Sequence, residues 1–255
     1  MSGIIVNAPA VPPCFYPAGP VRPIRERPSV HTGFSGESHH MNQRVRSALA
    51  AAVLLIIVVF TAWSVGSMFL YSGSGNMRVH RGVIFRYFTV DSNILCALSC
   101  AFALLARLFG RGKGAGAAML LRYMGTASVT VTMLTVLFFL GILYGYPAMF
   151  EGWNLWLHGI GPLFSIVSFV WLERDGTAPE KKHLVLSLLP VIVYGGVYLV
   201  MAVVIGAAKG GWPDFYGFNM SGRWYLSYAG MLAGTALIGA ALRMLRKAGR
   251  RPRAR

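Results

Sequence analysis

The chain has 255 residues, 55% of them hydrophobic and only 13% charged. That charged share is roughly half of what a soluble domain carries, which excludes an ordinary water-soluble fold. The net charge of +16 comes from 24 Lys and Arg against 8 Asp and Glu. These basic residues sit in tails and short connections beside apolar runs. They therefore read as orientation signals in a membrane, with anionic lipid contacts at the C-terminal tail and no nucleic-acid partner.

Residues 1–46 are rich in Pro, Gly, Ser, Arg and His, and are expected to form a disordered tail. No signal peptide is recognisable before the first apolar run. Residues 47–245 are expected to form a six-helix transmembrane domain, and residues 246–255 a basic tail. The spans fall at about Ala48–Tyr71, Val83–Phe109, Ala117–Tyr144, Trp153–Leu172, Leu184–Ala208 and Trp224–Leu245, each close to the roughly 20 residues a bilayer requires. Trp153, Trp156, Trp171, Trp212, Trp224 and Tyr225 lie near span ends, at the depth aromatic rings favour.

Arg and Lys concentrate before span one, between spans two and three, between spans four and five, and after span six. Arg78 and Arg81 are the exceptions. This bias predicts an all-α polytopic bundle with both termini in the cytoplasm. Short connections predict antiparallel neighbours.

Polar residues inside spans carry the functional reading. In the second span, Arg86-Tyr87-Phe88-Thr89-Val90-Asp91-Ser92-Asn93 places Thr89, Ser92 and Asn93 on one helical face. Asp91 points elsewhere, toward Arg86 or a polar residue of span three. In the fourth span, Trp156-Leu157-His158-Gly159 holds the only histidine well inside an apolar run, with Asn154 one turn earlier. Thr89 lies about six residues into its span and His158 about five into its own, both from the same side. At 1.5 Å per residue the two share a depth of roughly 8–10 Å. A hydroxyl beside a base is the minimum for acyl transfer. The alternative is that the hydroxyl stripe only holds helices together.

No GxSxG, HExxH or phosphate-binding loop occurs, and no metal or cofactor is implied. Cys96 and Cys100 read as buried small side chains.

The segments RYFTVDSN (Arg86 to Asn93) and WLHGIGPL (Trp156 to Leu163) resemble bacterial relatives of the androgen-induced-gene family of membrane proteins. The resemblance extends from about Ser47 to Leu245. It implies a cofactor-independent hydrolase of fatty acid esters of hydroxy fatty acids, located in a bacterial plasma membrane. It further implies Thr89 as nucleophile and His158 as base. The spacing after Thr89 departs from the animal pattern, so Ser92 stands as a rival nucleophile. Asn93 or Asn154 would stabilise the oxyanion or orient the ring. Arg86, Trp156 and Tyr228 would line a pocket for a lipid with a long acyl chain. A small-solute or lipid transporter, its path lined by Arg86, Asp91, Thr126, Thr130 and Thr135 with Pro190 and Gly195 permitting movement, is the competing expectation, and a non-catalytic lipid-binding protein is the third.

Overall fold

The structure, a computed structural model, describes residues 34–70, 81–109, 114–173 and 178–249. By its internal contacts the chain divides after His39, and the architecture below is that of the unit from His40 onward. Among the described residues, six helices are long and apolar enough to cross a membrane. The protein is an all-α, six-helix polytopic membrane bundle. The spans are α1 (Gln43–Leu70), α2 (Phe88–Phe109), α3 (Ala115–Tyr144), α4 (Trp153–Leu172), α5 (Lys181–Ile205) and α6 (Trp224–Ala248). Helix is the form such apolar runs must take, because lipid offers no partner for backbone N–H and C=O groups.

Two boundaries differ from expectation. The first helix starts at Phe34, inside the segment expected to be a disordered tail. The rest of that tail, the connection carrying Arg78, and residues 250–255 lie outside the described residues. The second difference bears on the site. Residues Arg81–Arg86 form a separate 3-10 turn, and α2 begins only at Phe88. The Phe88 N–H, which the helix cannot satisfy, donates to the Tyr216 hydroxyl at 3.1 Å. A long-range side chain thus sets the start of α2.

Helix α3 is the hub, touching α2, α4, α5 and α6. In its most apolar window 61% of residues are buried, against 17% for α6, which faces mainly lipid. Close approach is bought with glycine. A Cβ on Gly125 of α3 would meet Ser99 Oγ at 2.8 Å and the Cys96 backbone at 2.9 Å on α2. One on Gly239 of α6 would meet Leu184, Ser187 and the Tyr123 hydroxyl, all within 2.9 Å. Small residues at such crossings let helices associate where lipid supplies no hydrophobic drive. Leu54 and Ile57 of α1 pack with Cys96, Cys100 and Val129 in one apolar cluster.

The ends of α3, α4 and α6 nearest the termini are locked by charge. Arg122, fully buried, donates to Glu173 through Nε at 3.1 Å and Nη2 at 2.9 Å. Its Nη1 reaches Ser99 and Ser165, each at 3.4 Å, and Ser168 Oγ donates to Glu173 at 2.7 Å. Arg246 donates to the Phe169 and Glu173 carbonyls at 2.7 and 2.6 Å. Those carbonyls end α4 and have no later turn to bond. Arg122 therefore serves as a structural ion.

Candidate functional site

The two motifs meet, and Asn93 is where they join. Its amide Nδ2 donates to the Thr89 carbonyl at 2.7 Å and to the Leu157 carbonyl at 3.0 Å. The reason lies in Pro162. Residues Trp156–Ile160 form a π-helical turn, in which the Gly161 N–H reaches back five residues to the Trp156 carbonyl. The next N–H in that register would serve Leu157, but residue 162 is proline and has none. The orphaned carbonyl is buried where lipid offers no donor, and Asn93 supplies one from the neighbouring helix. Both amide hydrogens are thus committed. Asn93 clamps the motifs together, and its expected role as an oxyanion donor is not available to it.

His158 is buried, with its ring edge-on to Phe150. Its Nδ1 lies 2.5 Å from the Met149 carbonyl. A carbonyl oxygen only accepts, so Nδ1 carries the proton and Nε2 of the neutral ring keeps its lone pair. Chain reversals place that carbonyl. Gly145 (φ 86°) and Gly152 (φ 57°), which flank the short helix Tyr146–Phe150, both take backbone angles that favour glycine. The Met149 carbonyl, not Asn154, orients the ring.

Thr89 is the second residue of α2, not the seventh of its span as expected. The depth match holds instead for Asn93 and His158, each five residues into its helix. The Thr89 hydroxyl, half-buried, makes no hydrogen bond among the described residues, with His158 or any other group. The Ser92 hydroxyl is already engaged. It donates to the Thr89 carbonyl at 3.1 Å or shares a 2.8 Å bond with Thr132.

A cleft of about 390 Å³ opens on the adjacent face of α2. Asp91 and Ser92 line it with Phe88 and Leu95 from α2, Met124 from α3, Pro190 and Tyr194 from α5, and Trp212. Asp91 was expected to pair with Arg86 or with a polar residue of α3. Among the described residues it has no ion-pair or hydrogen-bond partner. Arg86 instead stands over the Trp212 ring, 5.8 Å from its centre.

The two expected aromatic walls lie elsewhere. Trp156 turns to α1, donating from Nε1 to Thr61 at 3.1 Å and stacking on Phe60. Tyr228 packs between α5 and α6 and donates to the Ile192 carbonyl at 3.2 Å. Two of the three threonines expected on a transport path are occupied. Thr126 bonds Ser165, and Thr130 donates to the Thr126 carbonyl. No group of three or more metal-ligating side chains occurs among the described residues.

The sequence reading missed the Arg122–Glu173 pair and the cap formed by residues 212–219 at the end of the bundle opposite the termini. In that cap Tyr198 donates to Asp214 at 2.8 Å, while Asp214 accepts the Phe218 and Asn219 N–H groups. An arginine seven residues inside an apolar span was a usable signal, since a buried cation needs an anion. The cap had no local signal.

Fold and site define a class, the polytopic all-α membrane protein with a polar cluster at the end of the bundle opposite the termini. No protein-family model, no curated protein and no solved structure matches the chain.

Proposed function

We propose that this protein is an intramembrane hydrolase of fatty acyl esters. The reading rests chiefly on the Asn93 clamp. It holds the turn carrying Thr89 against the turn carrying His158, two residue types with unspent chemical capacity. The resemblance of both motifs to the androgen-induced-gene family points the same way. The Thr89 oxygen attacks the ester carbonyl carbon and its proton passes to His158 Nε2. That proton then leaves with the alkoxide, and water hydrolyses the acyl-threonine. The two groups are not hydrogen-bonded in this structure, so a bridging water or a turn of the Thr89 side chain completes the relay. Both termini lie in the cytoplasm of a bacterial cell on this reading. Support comes from Arg107, Lys182, Arg243 and Lys247 at the termini end.

The test is hydrolysis of a long-chain ester by the purified protein and by Thr89→Ala, Ser92→Ala and His158→Ala, each first shown to be folded. Loss of about 10²-fold or more in the Thr89 and His158 variants is expected, with Ser92→Ala much less affected. Wild-type rates in both Thr89→Ala and His158→Ala would remove the mechanism. Loss in Ser92→Ala alone would move the nucleophile.

A further inference from the structure

The cleft beside Asp91 lies outside the proposed Thr89–His158 chemistry, and its shape and charge define a ligand of their own. Asp91 lies three residues into α2, about 4.5 Å along the helix from its first residue. Phe85 and Trp212 line the cleft at that same end. Met124 lies nine residues into α3 from the opposite end, about 14 Å deep, and Leu189 eight residues into α5, about 12 Å deep. The cleft thus runs from head-group level at its mouth to the middle of an apolar layer about 30 Å thick. Its lower walls are aliphatic, and its volume lies in the range of sites that enclose small ligands.

Two charges mark the mouth. The Asp91 carboxylate is half-buried in the lining with its oxygens unbonded. The start of α2 favours its negative charge but leaves those oxygens free to accept. Arg86 sits at the rim, in contact with two lining residues. Its guanidinium stands over Trp212, and its carbonyl accepts from the Tyr194 hydroxyl at 2.7 Å. Neither charge has an ion-pair partner among the described residues. An unpaired anion and an unpaired cation at the mouth of a membrane-facing slot match a head group that carries both charges. We infer that the cleft binds a zwitterionic phospholipid with a primary ammonium. The ammonium donates to Asp91, the phosphate meets Arg86, and one acyl chain descends along Leu95, Val193 and Met124. A primary ammonium is favoured over a quaternary one because only the former donates hydrogen bonds to the carboxylate. This inference rests on Asp91 and Arg86 and not on Thr89 or His158, and it stands independently of the hydrolase reading.

The experiment measures bound mass, not turnover. The full-length protein in mild detergent is incubated with equal amounts of phosphatidylethanolamine, phosphatidylcholine and phosphatidylglycerol. Retained lipids are then counted by native mass spectrometry. Wild type is expected to retain the ethanolamine lipid at least about fivefold over either of the others. Asp91→Asn should abolish that preference, and Arg86→Gln should lower retention of all three. Val193→Trp, which fills the slot from another helix, should expel lipid even if an Asp91 variant fails to fold. Equal retention of the three lipids by wild type, or an unchanged preference in Asp91→Asn, would overturn the inference. Retention of hexadecylamine with no ethanolamine lipid bound would overturn the phospholipid assignment.

Discussion

Replacing Glu173 by Gln tests the ion lock at the termini end of the bundle. The substitution keeps size and shape but removes the charge that Arg122 faces at 2.9 Å. Arg122 is 0% exposed, so no solvent screens what remains. Ser99 and Ser165 hydroxyls still accept from its Nη1, but they are neutral and sit at 3.4 Å. Breaking a buried pair on one side costs about 3–5 kcal/mol, because the surviving charge is stranded. For a chain of this size that corresponds to a fall of roughly 10 °C in Tm. The Ser168 and Arg246 bonds to residue 173 are retained in part, since Arg246 uses the backbone carbonyl. The assay is thermal unfolding in detergent of wild type, Glu173→Gln, Arg122→Met and the double variant. The double variant carries no stranded charge and should recover most of the loss, giving a coupling above about 2 kcal/mol. Additive losses in the double variant, or an unchanged Tm in Glu173→Gln, would refute the claim that the pair acts as a unit.

Asn93→Leu should cost about 1–3 kcal/mol by orphaning the Leu157 carbonyl, read as a lower Tm, and should also reduce ester hydrolysis. Adding Pro162→Ala, which restores an N–H in the π register, should recover stability; no recovery would sink the account of the clamp. Gly125→Val should lower Tm by forcing α2 and α3 apart, with a cost of about 1–3 kcal/mol or more, and a neutral outcome would contradict the close approach at Cys96. A single cysteine at Ser221, in a background without the native cysteines, should react with an impermeant thiol reagent added to intact cells, while one at Lys247 should react only after lysis. The reverse pattern would invert the proposed topology.

All six spans were legible because hydropathy over a bilayer's width is a property of composition within one segment. The start of α2 was not. Gly82-Val83-Ile84-Phe85 is apolar enough to extend the span, yet the helix begins at Phe88, where the Tyr216 hydroxyl takes up a backbone N–H from 128 residues away. That five-residue error displaced Thr89 from the depth of His158 and put Asn93 there. The face of α2 was read correctly in one respect, since Ser92 and Asn93 are both buried. What pattern alone could not show was which partner each had. Ser92 is held by Thr132, and Asn93 by a carbonyl that a proline on another helix had left unpaired.

Polar groups in lipid must be accounted for one by one, and here that accounting separates structure from chemistry. At the termini end, Arg122, Glu173, Ser168 and Arg246 bond one another or helix-end carbonyls. Such a set stiffens the bundle and offers little to a ligand. At the opposite end, Ser92 and Asn93 are spent in the same way, but four neighbours are not. The Thr89 hydroxyl, the Asp91 carboxylate, the Arg86 guanidinium and His158 Nε2 all lack a bonded partner among the described residues. Each keeps hydrogen-bonding capacity that the fold does not use. A bundle that satisfies Leu157 with a side chain from another helix has the means to satisfy these as well. Their concentration within about two turns of one end of α2 and α4 is the reason both the hydrolase and the lipid-binding proposals are placed at this end of the bundle.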